Sequence, residues 1–257
     1  MITVLADATF VPPGVRDFFP PAIIAGITKP MVLMVLSVVV IVAFFLTATR
    51  RLALVPGRLQ FAAESVYDLG RDTIAREQIG GKDFKPYVPL IVSLFTFILV
   101  NNVFGIIPLV QFPTMAHAGF PLALVIILYP LFHIVGIRRH GLGRYLKNQL
   151  FPPDVPKTVY LLLTPIELFL RFFMDPLALA IRVFAAMFAG HLILLVFTLG
   201  GEFLLLEASA WLKPVSLVAF AFSIAMTFLE ALVQVLQAYI FALLTANYIG
   251  RALAAAH

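Results

Sequence analysis

The chain has 257 residues, 62% hydrophobic and 12% charged, against about 45–50% apolar residues in a soluble domain; the balance excludes a soluble enzyme and identifies an integral membrane protein. It has no cysteine, so disulfides, thiolate metal sites and cysteine nucleophiles are excluded together. The net charge of +5 comes from Lys and Arg gathered in particular loops, as membrane orientation produces, and requires no nucleic-acid partner.

The apolar runs have helical length, and no ten-residue alternating strands separated by turns occur. An all-α bundle is therefore expected rather than a β-barrel, with residues 1–257 forming one membrane domain. Residues 1–29 lack the basic start and short apolar core of a secretory signal and read as a mature N-terminal tail. The first span is residues 30–49, closed by Arg50 and Arg51. Residues 57–79 turn amphipathic, with Leu59, Ala62, Ala63, Val66, Leu69, Gly70 and Ile74 on one side and Glu64, Asp68, Arg71, Asp72 and Glu77 over much of the rest. Such a helix should lie on the membrane surface.

Residues 87–137 read as a helical hairpin, one span over about 87–110 and another over about 119–137, joined by a short loop with Pro113 and His117. A basic, turn-rich connector follows. Residues 158–251 then hold two apolar segments, each much longer than the ~20 residues needed to cross upright, separated by GGEFLLLEASAW. They must tilt, bend or break, and Pro165 and Pro176 are candidate bends. The expected total is five to six membrane helices, the last two forming a long tilted antiparallel hairpin, plus the surface helix. Counting crossings against the basic loops places the N-terminus and the loop around Glu202 and Glu207 outside, and the C-terminus in the cytoplasm.

Within DPLALAIRVFAAMFAGHLILLVFTLG (175–200) stands Arg182. An intramembrane guanidinium is costly and rarely persists without a task. If the last two segments pair antiparallel, residues at equal depth have numbers with a constant sum. Those of Arg182 and Gln237 sum to 419 and those of His191 and Glu230 to 421, which implies a turn near residue 210. Arg182 is flanked by Ala178, Ala186 and Ala189, small residues that let another helix approach. Asp175 shares its face, while His191 points half a turn away. Glu230, Gln234 and Gln237 form one polar stripe that can hold water.

Blander readings stand beside these. Arg182 snorkels to the interface, His191 and Glu230 form a structural ion pair, Gln234 and Gln237 bridge helices, and Asn101 and Asn102 serve as interhelical glue. His117, His133, His140 and His257 read as solvent-facing or interfacial. No site for a cofactor or metal is expected.

Four passages resemble one family, the a subunit of F-type ATP synthases: FILVNNVFGIIPL, TPIELFLRFFMDPLALA, IRVFAAMFAGHLILL and FLEALVQVLQAYIFALLTANYI. The resemblance implies a non-catalytic stator subunit of the bacterial plasma membrane that carries protons through two half-channels. Its implied partners are a ring of c subunits, b-type peripheral-stalk subunits and the remaining ATP synthase. Arg182 matches the arginine facing the ring carboxylates. His191 and Glu230 match a pair lining the outer half-channel, a place where an acid and a histidine exchange helices within the family. Gln237, with Gln234 nearby, matches a glutamine close to the arginine. Asn102, six residues before Pro108, matches another outer-channel position. Glu167 and Asp175 are candidates for the inner half-channel. Two departures stand out: Ala186 where asparagine is common, and Asp175 where a basic residue is common. A secondary proton or cation antiporter is the alternative, since it too uses intramembrane charges and interrupted helices; a structural scaffold is a third reading.

Overall fold

The computed structural model describes residues 10–18, 26–50, 52–107, 110–150 and 160–254. Arg51, Pro108, His257 and the connector at 151–159 lie outside the described residues. Among the described residues the chain is helical apart from short connections. Five helices are long and apolar enough to cross a membrane.

The first, α1, is Lys29–Thr49. Helix α2 has three continuous pieces, Arg58–Asp68, a π-helical stretch Leu69–Arg76 and a last turn Glu77–Ile79. Helix α3 is Val88–Val103 behind a 3₁₀ turn at Lys85–Tyr87. Helices α4 and α5 are Gly119–His140 and Leu142–Leu150. The sixth, α6, combines Tyr160–Phe169, a π stretch Leu170–Met174, and Asp175–Leu206; α7 is Lys213–Leu253. Pro30, Pro89 and Pro214 sit at the starts of α1, α3 and α7, where a missing N–H breaks no intrahelical bond and the fixed φ suits the first turn.

The core forms where the second half of α7 meets α3. Ala238, Phe241, Ala242, Thr245, Ala246 and Ile249 are buried on α7, recurring every three or four residues, and face Val88, Ile91, Phe95 and Ile98 of α3. The alanines let the two backbones approach closely, so packing rather than solvent exclusion holds them inside a bilayer. Between α3 and α4 the short loop is itself part of the interior. Thr114, Met115 and Ala116 are buried, and Thr114 Oγ1 donates to Asn101 Oδ1 at 2.6 Å while Asn101 Nδ2 donates to Ser37 Oγ at 2.8 Å. Asn101 is thus the interhelical glue that one reading offered, tying α1, α3 and this loop together.

The last two helices are an antiparallel hairpin turning through residues 207–212. Its register shows in three contacts whose residue numbers each sum to 421: His191 with Glu230, Thr198 with Ser223, whose hydroxyls lie 2.8 Å apart, and Gly201 against the Phe220 ring. Helix α6 runs on to Leu206, so Glu202 lies on the helix and not in the loop.

The amphipathic segment departs from its predicted phase. Leu59 and Ala62 are exposed, while Ala63, Gly70, Ile74 and Ala75 are buried. The π stretch widens the helix there, so a 3.6-residue period cannot track the face across it. Nor does α2 merely lie on a surface: a Cβ at Gly70 would strike the Val92 side chain of α3, and one at Gly250 of α7 would strike the Gln78 carbonyl. Asn247 Nδ2 adds a hydrogen bond to Gln78 Oε1 at 3.2 Å.

Gly250→Ala should therefore lower stability by about 1–3 kcal/mol, the scale of overpacking a tight contact. Gly119, with open space where its Cβ would lie, is the control. Thermal melting of the detergent-solubilised chain tests this: equal melting temperatures for the two alanine variants would disprove the close contact.

Candidate functional site

Arg182 lies on the described part of α6 that follows the π stretch. Asp175 N–H bonds the carbonyl of Leu170, five residues back, instead of four. Pro176, next in sequence, supplies no N–H and its ring crowds the carbonyl four residues before it, so one extra residue is absorbed here. Everything downstream is rotated relative to Tyr160–Phe169.

In that rotated frame Arg182 is exposed. Among the described residues it has no hydrogen bond or ion pair, and none links it to Gln237. Ala178, Ala185 and Ala189 are exposed along the same strip, whereas Ala186, expected beside the arginine, is half-buried and packs on the core. Nine residues further, half a helical turn round, His191 is only 3% exposed. The arginine points out of the subunit and the histidine points in.

His191 meets Glu230 of α7, itself 3% exposed, with Nδ1 3.6 Å from Oε1. That separation is too long for a hydrogen bond. Gln234, completely buried, donates from Nε2 to the same Oε1 at 3.3 Å. His191 Nδ1, Glu230 Oε2 and Gln234 Oε1 are buried without a protein partner, as are the Gln237 Oε1 and both amide atoms of Asn102. Asn102 therefore differs from its neighbour Asn101, which is fully engaged. A dry structural ion pair would close to direct hydrogen bonds and leave few such atoms. Interior polar atoms lacking protein partners are characteristically bonded to ordered water, so this seam has the chemistry of a wet path.

A wall of the seam comes from the N-terminal tail. Residues Val15–Phe18 form a 3₁₀ turn, and Phe18, 2% exposed, sets its ring centroid 5.8 Å from His191 edge-on and 4.6 Å from Phe188. Sequence reasoning missed Phe18, since nothing in a polar-poor tail marks a residue that folds back on a histidine 173 positions later.

At the other end of the hairpin Glu167 and Asp175 are each paired. Asp175 Oδ2 accepts from Arg251 Nη2 at 3.4 Å, and Glu167 Oε2 accepts from Arg171 Nε at 2.7 Å. Arg171 Nη1 also donates to Gln149 Oε1 at 2.6 Å. Asp175, Arg171 and Arg251 line a cavity of about 30 Å³ with Tyr129, His133 and Tyr145, room for a water or two. His133, expected to be solvent-facing or interfacial, is half-buried, stacked on Phe172 at 4.9 Å and 2.8 Å from the Tyr145 hydroxyl. Burial pushes the Tyr145 phenol above its usual range, so it stays protonated and can donate to that imidazole. Gly136 makes room for the Tyr145 ring, which a Cβ there would strike. Of these groups the sequence flagged only Glu167 and Asp175; the i, i+4 spacing of Glu167 and Arg171 was a usable signal.

The comparisons with known proteins follow the same outline. Residues 31–250 match the family described as ATP synthase A chain. Among curated relatives, "ATP synthase subunit a" of Pseudarthrobacter chlorophenolicus is 47% identical over 95% of this chain and 93% of that one. The proteins of that name from Nocardioides sp., 42% identical over 96% and 95%, and Rhodococcus erythropolis, 37% identical over 98% and 94%, align equally fully.

Removing the aromatic wall should expose the seam. Phe18→Ala is expected to raise the rate at which diethyl pyrocarbonate modifies His191 by about tenfold or more, as burial of the imidazole is relieved. Peptide mass spectrometry of the labelled chain measures this, and an unchanged rate would show that Phe18 does not cover the histidine.

Proposed function

The chain belongs to the ATP synthase A chain family, and from that premise we propose how its residues carry protons past a rotating ring. Its homologues are the proton-translocating subunit of the synthase's membrane sector, and the antiporter alternative has no support among them. The subunit acts beside a ring of c subunits and is held by b-type peripheral-stalk subunits. It lies in the bacterial plasma membrane with its N-terminus outside and its C-terminus cytoplasmic, and it performs no covalent chemistry itself.

One observation carries the reading: Arg182 is exposed on an alanine strip, half a turn from a buried seam of unpartnered polar atoms. A ring carboxylate can face lipid only when neutral, because exposing it ionised to hydrocarbon is prohibitive. Against the strip it meets a fixed cation, which stabilises the carboxylate and lowers its pKa. The proton is released there and another is taken up before the carboxylate returns to lipid. Arginine keeps its own proton at any accessible pH, so protons cannot cross directly from one half-channel to the other. Each proton falling through 100 mV supplies about 2.3 kcal/mol to bias the rotation.

On the outer side, His191, Glu230, Gln234 and Asn102 form the wet path. The imidazole and carboxylate titrate as a coupled pair, each setting the proton affinity of the other. Gln237, whose Oε1 is buried without a protein partner, extends this polar stripe on α7. On the inner side, Asp175 and the small cavity beside Arg251 receive the proton, and Glu167 acts one step removed by orienting Arg171.

Arg182→Ala should leave assembly intact, since the side chain is exposed and unpartnered, and should abolish proton-driven ATP synthesis in reconstituted vesicles, with a passive leak. Normal coupled synthesis in that variant would refute the assignment. Glu230→Gln should slow passive proton flux about a hundredfold, the low end of what a positioned proton-transfer group contributes, and far more than Gln234→Ala; equal fluxes in pH-dye assays would count against Glu230 as a relay.

A further inference from the structure

Between the ends of α3 and α4 that carry the basic residues, a groove of about 820 Å³ opens. Its floor is hydrocarbon, with Leu90, Ile127, Leu131 and Ile134, of which Ile127 is 73% exposed. Its mouth carries Lys82, Asp83, Arg138 and Arg139. Arg139 is already engaged, donating from Nη2 to Asp83 Oδ2 at 3.4 Å. Lys82 and Arg138 are exposed and, among the described residues, have no acidic partner. Three cations against one carboxylate leave the mouth at +2.

The dimensions match one leaflet. From Ile127 to Arg138 the helix rises ~16 Å, and half of a bilayer's hydrocarbon core is about 15 Å. The cations therefore stand at headgroup depth while the apolar floor reaches the midplane. A neighbouring transmembrane helix would fill the floor but leave two unpaired cations at its end unless it carried acids there. An amphiphile with an anionic head and a long apolar tail satisfies both parts, and basic pockets between membrane helices on this side of a bilayer select such lipids.

We propose that this groove is a binding site for an anionic glycerophospholipid, its phosphate held between Lys82 and Arg138 and an acyl chain lying along Ile127, Leu131 and Ile134. The site is independent of the proton path and braces α3 against α4 where α3 carries the core.

The test uses the intact synthase in phosphatidylcholine nanodiscs containing phosphatidylglycerol with a photoactivatable acyl chain, and cross-linked peptides are mapped by mass spectrometry. Label is expected on 127–135. Lys82→Gln with Arg138→Gln should reduce it at least fivefold, since each surface cation contributes about that factor toward an anionic lipid. The charge-keeping pair Lys82→Arg and Arg138→Lys should retain it, and Arg58→Gln with Arg76→Gln, on α2, should leave it unchanged. Equal labelling by a phosphatidylcholine analogue, or undiminished labelling in the glutamine pair, would overturn the proposal. So would labelling of the isolated chain that vanishes in the synthase, since a partner subunit's helix would then own the groove.

Discussion

A charge within a bilayer must face water or a partner of opposite sign, and this constraint sorts nearly every ionisable residue in the second half of the chain. Glu167 and Asp175 are each met by an arginine at the hairpin's basic end. His191 and Glu230 face each other in an interior with polar atoms to spare. Arg182 is the exception, an exposed cation with no counter-charge among the described residues. On the proposed reading its counter-charge belongs to something that moves past it. A permanent internal partner would neutralise the arginine and leave passing carboxylates without a reason to ionise.

Helix length turns that sorting into a geometry. The 45 residues of Leu162–Leu206 and the 41 of Lys213–Leu253 span ~60–70 Å at 1.5 Å per residue, about twice the hydrocarbon thickness. The pair must run obliquely. In the proposed role, such an oblique hairpin would offer a curved ring a long line of contact, with Arg182 between the buried seam and the small cavity. The seam and the strip are opposite sides of one helix, so groups in the seam and any group docked on the strip are separated by the thickness of α6.

How much of this was legible in the sequence follows from what kind of regularity each part obeys. The hairpin register was readable because antiparallel helices pair residues of constant sum, and polar residues in an apolar segment are few enough to align. Arg182 and His191 could be assigned to opposite faces because the helix between them is regular. Two things broke that logic. The π stretches at Leu69–Arg76 and Leu170–Met174 shift the phase without a compositional mark, which is why one helical period does not track the face of α2 from Leu59 and Ala62 to Ile74. The small cavity draws on α4, α5, α6 and α7, so none of its members announces the others, and His133 read only as solvent-facing or interfacial.

The departure at Asp175 shows charge being handled as a local sum. The resemblance leads one to expect a basic residue before Pro176, and an isolated carboxylate there would sit close to Arg182's own helix face and compete for it. Instead Arg251, arriving from the far end of α7, engages Asp175 and stacks over Tyr248 at 4.7 Å. The hairpin's antiparallel course makes this possible, because it returns the last turn of α7 to the depth of the first turn after the π stretch. A cation supplied by α7 thus stands at this turn of α6, and the acid it accompanies is held away from the strip. The histidine and glutamate of the seam stand in the same relation, one from each helix of the hairpin and facing each other across it. What the antiparallel register fixes is which groups meet across α6 and α7.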